Sequence, residues 1–300
     1  MVPILVFDIE TIPDVAGLRN LNELPAELSD DEVAELAFQQ RRAQGGSDFL
    51  PHYLHKIVTI SCTFRSDAGF KVFSLSAPEL EEGAIIQRFF DGLERLTPIL
   101  VSWNGGGFDL PVLHYRGLMH GVSAPRYWDQ GEGDFSDSRE FKWNNYVSRY
   151  HSRHTDLMDL LALFQARASA PLDAMAKLMG FPGKVGMAGN LVWPTWQKGE
   201  YAKIRDYCET DVVNTYLVYN RFRLMRGELS REQAEERQEL AREQSEERAR
   251  AAAACTPAPP ATRPCAPRTR ASASAPTRSS SAWRRRSGTG CGRRPSRAAG

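Results

Sequence analysis

The sequence predicts an α/β fold: a mixed sheet of about five strands flanked by helices. Three observations carry that expectation. Short β-branched and aromatic runs come first, two of them are joined by a tight turn, and amphipathic helices then alternate with further short apolar runs.

The opening run Pro3-Ile4-Leu5-Val6-Phe7-Asp8-Ile9-Glu10 is almost continuously apolar until it meets two carboxylates, as expected of a strand buried on both faces. Residues 14–50 are a polar excursion. Ser29-Asp30-Asp31-Glu32 reads there as a capping box, Val33, Leu36 and Ala37 supply an apolar stripe, and Gly45-Gly46 suggests a mobile flap. Strands are expected over 55–65 and 70–76, with a hairpin turn at Ser66-Asp67-Ala68-Gly69. A helix over about 78–96 has Leu80, Ile85, Ile86, Phe89, Phe90 and Leu93 on one side, and Ile99 to Trp103 reads as a fourth strand. The run Asn104-Gly105-Gly106-Gly107-Phe108-Asp109 then turns the chain into a helix reaching about His120, with Pro111 tolerated in its first turn. Residues 121–150 are irregular, 154–161 fit a fifth strand or a helix entry, and 172–181 fit a short helix. A long helix starts near Glu200, and beyond Arg226 a Glu/Arg/Gln-rich helix to about residue 250 is expected to be a solvated extension.

Side chains two apart on a strand share a face, so Asp8 and Glu10 project together, and two ionised carboxylates there call for a cation. Asp109 follows a glycine turn at a helix start. Tyr207 and Asp211 lie four apart on one helix face. Four carboxylates and a phenol drawn from separate segments suit hard divalent ions held by oxygen. The glycine run lacks the Lys-Ser/Thr of a phosphate-binding loop and does not fit GxGxxG spacing.

Phe7-Asp8-Ile9-Glu10-Thr11, Asn104 with Phe108-Asp109, and Tyr207-Cys208 followed by Asp211 resemble, in order and spacing, the three motifs of the DEDDy 3′-to-5′ exonucleases. Within that group the chain is similar to stand-alone relatives of the family B DNA polymerase proofreading domain, over roughly residues 3–225. The resemblance implies a ribonuclease-H-like fold and hydrolysis at the 3′ end of single-stranded DNA, releasing nucleoside monophosphates, with roles in repair or end trimming. It implies two divalent cations, Mg²⁺ or Mn²⁺: Asp8 bridging both, Glu10 and Asp211 holding one, Asp109 fixing the other through its water shell. Tyr207 would orient the attacking water, and Thr11, Asn104 and Phe108 would contact the terminal nucleotide. No Asp-Thr-Asp polymerase motif follows, so a free-standing nuclease is expected. The alternatives are the same chemistry on RNA and a non-catalytic nucleic-acid-binding module of the same fold. Interleaved basic and aromatic residues, Arg126, Tyr127, Trp128, Lys142, Trp143, Tyr146 and Arg149, are candidates for strand contact beside the reading of a self-packed loop. Asp156, next to His154, is a candidate support for the metals or a structural acid.

The formal charge of +1 over 300 residues hides a cancellation. Residues 251–300 hold ten Arg and no acid, whereas the first 250 hold 28 basic and 37 acidic residues, a net −9. That last segment is too poor in large apolar residues to fold alone, and reads either as a basic arm for nucleic acid or as a shifted reading frame. The division expected is an exonuclease domain at 1–225 (with the 14–50 insertion), a helical extension at 226–250 and a disordered basic tail at 251–300. Cysteine spacing excludes a zinc ribbon or disulfide framework. No stretch approaches the ~18 to 20 apolar residues of a membrane span, and Met1-Val2-Pro3-Ile4 lacks the basic start of a signal peptide, so a cytoplasmic protein is expected.

Overall fold

The computed structural model describes residues 2–184 and 186–254. The expected basic tail from Cys255 onward lies outside these residues. Strand β1 (Ile4–Pro13) is central, and helices α1 (Val15–Asn22) and α2 (Asp30–Gly45) follow it. The hairpin β2 (His55–Ser66) and β3 (Gly69–Ser76) leads to α3 (Glu82–Leu96), β4 (Ile99–Ser102) and α4 (Asp109–His120). Short helices α5 (Pro125–Trp128) and α6 (Ser138–Phe141) precede β5 (His154–Asp156) and α7 (Leu157–Leu161). Helices α8 (Leu172–Leu178), α9 (Val192–Gln197), α10 (Tyr201–Met225) and α11 (Arg231–Ala254) complete the chain described.

The five strands run in the order β3-β2-β1-β4-β5, antiparallel across β1-β2-β3 and parallel across β1-β4-β5. This is the mixed five-stranded α/β sheet expected. Alternation along β1 divides the core in two. Leu5, Phe7 and Ile9 pack with Ile85, Ile86, Phe89 and Leu113 of α3 and α4, whereas Ile4 and Val6 pack with Tyr216, Leu217 and Ala176 of α10 and α8. Asp8 and Glu10 continue the second row and so lie under α10. The β1–β2 register shifts between Glu10 and Thr11, a bulge that ends regular pairing beside the two acids.

Several expectations needed revision. Helix α3 starts at Glu82 rather than near Pro78, because the amides of Ala77 and Leu80 bond to Val58 O and Ser76 O and hold residues 76–80 as a turn. The Ser29 capping box is present, but Leu36 faces solvent and Ala34 is buried in its place beside Val33 and Ala37. The 14–50 insertion closes on a small core of Leu18, Val33, Ala37, Leu50 and Leu54. Residues 154–161 satisfy both readings in succession, a three-residue strand and then a short helix.

The charged helix beyond Arg226 is not a solvated extension. Ala234 and Ala241 are buried, Ala241 and Leu240 join the core under α10, and Arg248 pairs with Glu209 while donating to Val72 O at 2.9 Å. Small alanines let α11 approach closely, so a helix with few large apolar residues still docks. Among the described residues no helix is long and apolar enough to cross a membrane.

Candidate active site

Each acid is delivered by a different element. β1 presents Asp8 and Glu10 one pleat apart. β4 ends at Ser102 and the chain must reverse within a few residues to start α4, which explains the glycines. A Cβ on Gly105 would stand 2.3 Å from Ser102 Oγ, and one on Gly107 would stand 2.4 Å from Asn104 Oδ1. Asp156 at the end of β5 ties this turn down by accepting from the Asn104 amide (2.9 Å) and the Gly106 amide (2.8 Å). It thus acts on the turn, as a structural acid, and His154 beside it is buried against Ser102 Oγ at 2.9 Å. The turn delivers Asp109 to the first position of α4, where Oδ1 accepts the Ile9 amide at 3.1 Å. Asp109 is therefore anchored directly to β1 between Asp8 and Glu10. Helix α10 supplies Tyr207, Cys208 and Asp211 from above.

Glu10, Asp109, Tyr207 and Asp211 are buried and Asp8 is partly buried. Burial pushes Asp8 well above the usual carboxylate range, and the charges of Asp109, Glu10 and Asp211 add to it. Glu10 is raised by burial and then by Asp211, Asp211 by burial, and Asp109 by burial to about 7. Four carboxylates that resist ionising together are a pocket short of positive charge. Lys184 supplies some, with Nζ 3.4 Å from Asp211 Oδ2 and donating to the Tyr207 hydroxyl at 2.5 Å. Asp211 Oδ1 is buried without a hydrogen-bond partner. An orphaned carboxylate oxygen among crowded acids fits a divalent cation, whose charge and coordination would answer both deficits. Among the described residues, ligand atoms of Asp8, Glu10 and Cys208 lie within 4.8 Å of one another. Burial and the charges of Asp8 and Glu10 raise the Cys208 thiol well up, so it remains protonated and donates to Asp8 O at 3.4 Å. It is a clamp on Asp8, and the oxygens remain the hard donors.

A cleft of about 660 Å³ opens beside Glu10. Thr11 and Phe108 line it, together with Phe38 and Phe49 of the insertion and Trp193 and Pro194 of α9. Phe49, His55 and Phe108 form an aromatic wall, with Phe49 and Phe108 centroids 5.5 Å apart and His55 and Phe108 5.1 Å apart. Thr11 Oγ1 bonds to His55 Nδ1 at 2.9 Å. Asn104 does not line this cleft among the described residues; it sits at φ 65 within the turn. Of the basic and aromatic residues of 121–150, Arg126, Tyr127 and Tyr146 are buried. Arg126 pairs with Asp129 and Asp137 and covers the Phe141 ring, so a self-packed loop accounts for these three. Trp128 and Trp143 are exposed, Lys142 lies over the Trp143 ring, and Arg149 pairs with Asp159. Sequence reasoning missed Lys184, which sits in a loop without periodicity, and the walls supplied by Phe49 and Trp193.

Residues 47–254 match the family described as "Predicted 3'-5' exonuclease related to the exonuclease domain of PolB". The chain belongs to that family. The matched span includes Asp109, Tyr207, Asp211 and all of α11, so the docked helix lies within it, whereas Asp8 and Glu10 precede it. Among solved structures the chain is similar to the zinc-bound form of E. coli exonuclease I in complex with single-stranded DNA, at 14% identity and a TM-score of 0.28, covering 75% of this chain and 45% of that one. It is similar also to exonuclease I in complex with the inhibitor BCBP, at 15% identity and a TM-score of 0.28, covering 75% and 46%. The chain thus spans under half the length of these proteins. No curated protein matches it.

Proposed function

We propose that this protein is a metal-dependent exonuclease that removes nucleoside monophosphates from the 3′ end of single-stranded DNA. The observation that supports this most is the convergence of Asp8, Glu10, Asp109 and Asp211 in one charge-starved pocket, with an unpartnered Asp211 oxygen, at the mouth of an aromatic cleft. A non-catalytic binding module would gain nothing from such acidity where phosphate must approach.

Asp8 would hold both divalent ions, Glu10 and Asp211 one of them, and Asp109 the other through water. When bound, the ions would supply the charge that lowers the pKa of a water and stabilises the attacking and leaving oxygens. Tyr207 is pushed above its ordinary value by burial and by Glu10, Asp211 and Asp8, so it is a donor at neutral pH and not the base. Lys184 donates to the phenol oxygen, and the phenolic proton, which faces Asp211, would orient the attacking water. One P–O bond forms to that water as the O3′–P bond breaks, and the departing 3′ oxygen takes up a proton. The terminal nucleoside would enter the cleft with its base stacked against the wall of Phe108 and Phe49 and its sugar near Thr11. The insertion at 14–50 then serves as one wall of the substrate site.

The test uses 5′-labelled single-stranded DNA and RNA with Mn²⁺ or Mg²⁺, with EDTA, and with Asp8→Ala. A ladder shortened from the 3′ end that needs metal and Asp8 is expected, with DNA cut faster than RNA. Faster cutting of RNA would reassign the substrate, and no shortening of either polymer would refute the enzyme reading.

A further inference from the structure

The seam between the sheet and α10 carries a second polar cluster, of opposite sign to the first. On the face that holds Asp8 and Glu10, β1 runs back through Val6 and Ile4, whose partners on β2 are Thr63 and Arg65. Directly paired residues share a face, so Arg65 lies on the α10 side. Asp8 lies four residue steps along β1 from Ile4, which places Arg65 about 13 Å from the carboxylates along the strands.

Two helices close over it. Tyr216, on α10, is fully buried with its ring centroid 4.6 Å from that of Phe70, the β3 partner of Arg65. Two turns further along α10, Arg223 gives its Nε to the exposed Glu228 at 3.0 Å. Helix α11 contributes Arg237, 9% exposed, with Nη1 3.5 Å from Asn220 Oδ1. Arg65 Nε, Arg223 Nη1, the Tyr216 hydroxyl and Thr63 Oγ1 are all buried without a hydrogen-bond partner. Three guanidiniums against two exposed carboxylates, Glu228 and Glu236, leave this end of the seam positive. Burial and the charges of Arg223 and Arg65 press the Arg237 guanidinium below its ordinary value, while burial raises Tyr216 and keeps its hydroxyl a donor.

We propose that Arg65, Arg223, Arg237 and the Tyr216 hydroxyl form a binding site for a phosphate-type oxyanion, separate from the carboxylate pocket. Planar guanidinium forks and a neutral hydroxyl match the several acceptor oxygens of a tetrahedral oxyanion, and its negative charge relieves the mutual repulsion of the arginines. The ligand would bridge β2, α10 and α11 and fasten the terminal helix to the sheet. The phosphate could come from a free phosphomonoester, such as a nucleoside monophosphate, or from a nucleic-acid backbone. The site is independent of the nuclease reading.

The test is made on the full chain in EDTA, so that no metal can recruit phosphate to the acidic pocket. Inorganic phosphate, dAMP and a short oligonucleotide are titrated by calorimetry and by thermal unfolding, against chloride at equal ionic strength. A saturable rise in melting temperature with phosphate, absent with chloride, is expected. Its dissociation constant should increase at least tenfold in Arg237→Gln, at least threefold in Tyr216→Phe, and stay unchanged in Asp8→Ala. Equal action of phosphate and dAMP supports a free phosphomonoester, whereas an Arg237-dependent response to the oligonucleotide alone supports a backbone phosphate. Absence of any saturable response overturns the proposal, as does unchanged affinity in a folded Arg237→Gln. Should that variant fail to fold, Tyr216→Phe, which removes a single oxygen, decides by the same criterion.

Discussion

Asp109→Asn isolates the electrostatic cost built into the carboxylate pocket. Asp109 is 4% exposed, and burial holds its carboxyl at about 7. A carboxyl raised above its unfolded value binds more protons in the native state, so the metal-free protein loses stability as pH climbs from about 4 through 7, after which the loss is complete. With each pH unit worth about 1.4 kcal/mol, the full shift is an upper bound of about 4 kcal/mol, and relaxation of the pocket should leave roughly 2 to 4. Asparagine keeps the Oδ1 that accepts the Ile9 amide and removes only the charge. His55, His114 and His154, each held at about 4 by burial, act with the opposite sign: the stability they contribute is present above their unfolded value near 6.5 and is lost as pH falls to 4. They are common to both proteins and cancel in the difference. Urea unfolding in EDTA from pH 4.5 to 8 should therefore show the variant close to wild type in acid and about 2 to 4 kcal/mol more stable at pH 8. Adding Mn²⁺ at pH 8 should stabilise wild type more than the variant. An offset between the two proteins that is constant with pH would refute the reasoning.

Further outcomes follow from other parts of the structure. Glu82 is buried beneath Arg116 and His120 and also accepts the Ile57 amide at 2.7 Å, so Glu82→Ala should cost about 3 to 5 kcal/mol in urea unfolding by leaving buried Arg116 with Asp14 as its one remaining carboxylate beside the Met119 sulfur. Lys184→Met should lower kcat roughly ten- to a hundredfold with little change in KM, because it releases the Tyr207 phenol; an equal loss in both constants would point to substrate contact instead. Phe49→Ala should raise KM for single-stranded DNA roughly tenfold, the worth of one stacked base, and leave the circular dichroism melt close to wild type. Truncation after Arg226 should lower the melting temperature by at least several degrees, since it uncovers the core that Leu240 and Ala241 close; an unchanged melt would show that α11 contributes nothing to the body.

The β1 run, the glycine turn and the α3 stripe were legible in the sequence because each rests on local rules: alternation of two, a chain reversal without side-chain room, and a 3.6-residue period. The acids at 8, 10, 109 and 211 were legible as separate clues for the same reason, since each sits where a strand or helix presents it. Their meeting in one pocket could not be read from local pattern and was implied only by the family resemblance, and nothing in the loop holding Lys184 marked it as a cation among them. Residues 121–150 fit a nucleic-acid surface and a self-packed loop equally in the sequence, because composition does not distinguish an arginine over solvent from Arg126, whose ring contacts and two acidic partners lie within the fold. Helix α11 differs from its sequence expectation for the converse reason: its alanines carry little hydrophobic signal, yet they permit close approach to a core that other segments build. Sequence by itself thus determined which residues stand on one face of each element, a property set by backbone periodicity. Only the tertiary structure decided which faces meet, and so where buried charge is left without a partner: among the acids under one end of α10 and the arginines under the other.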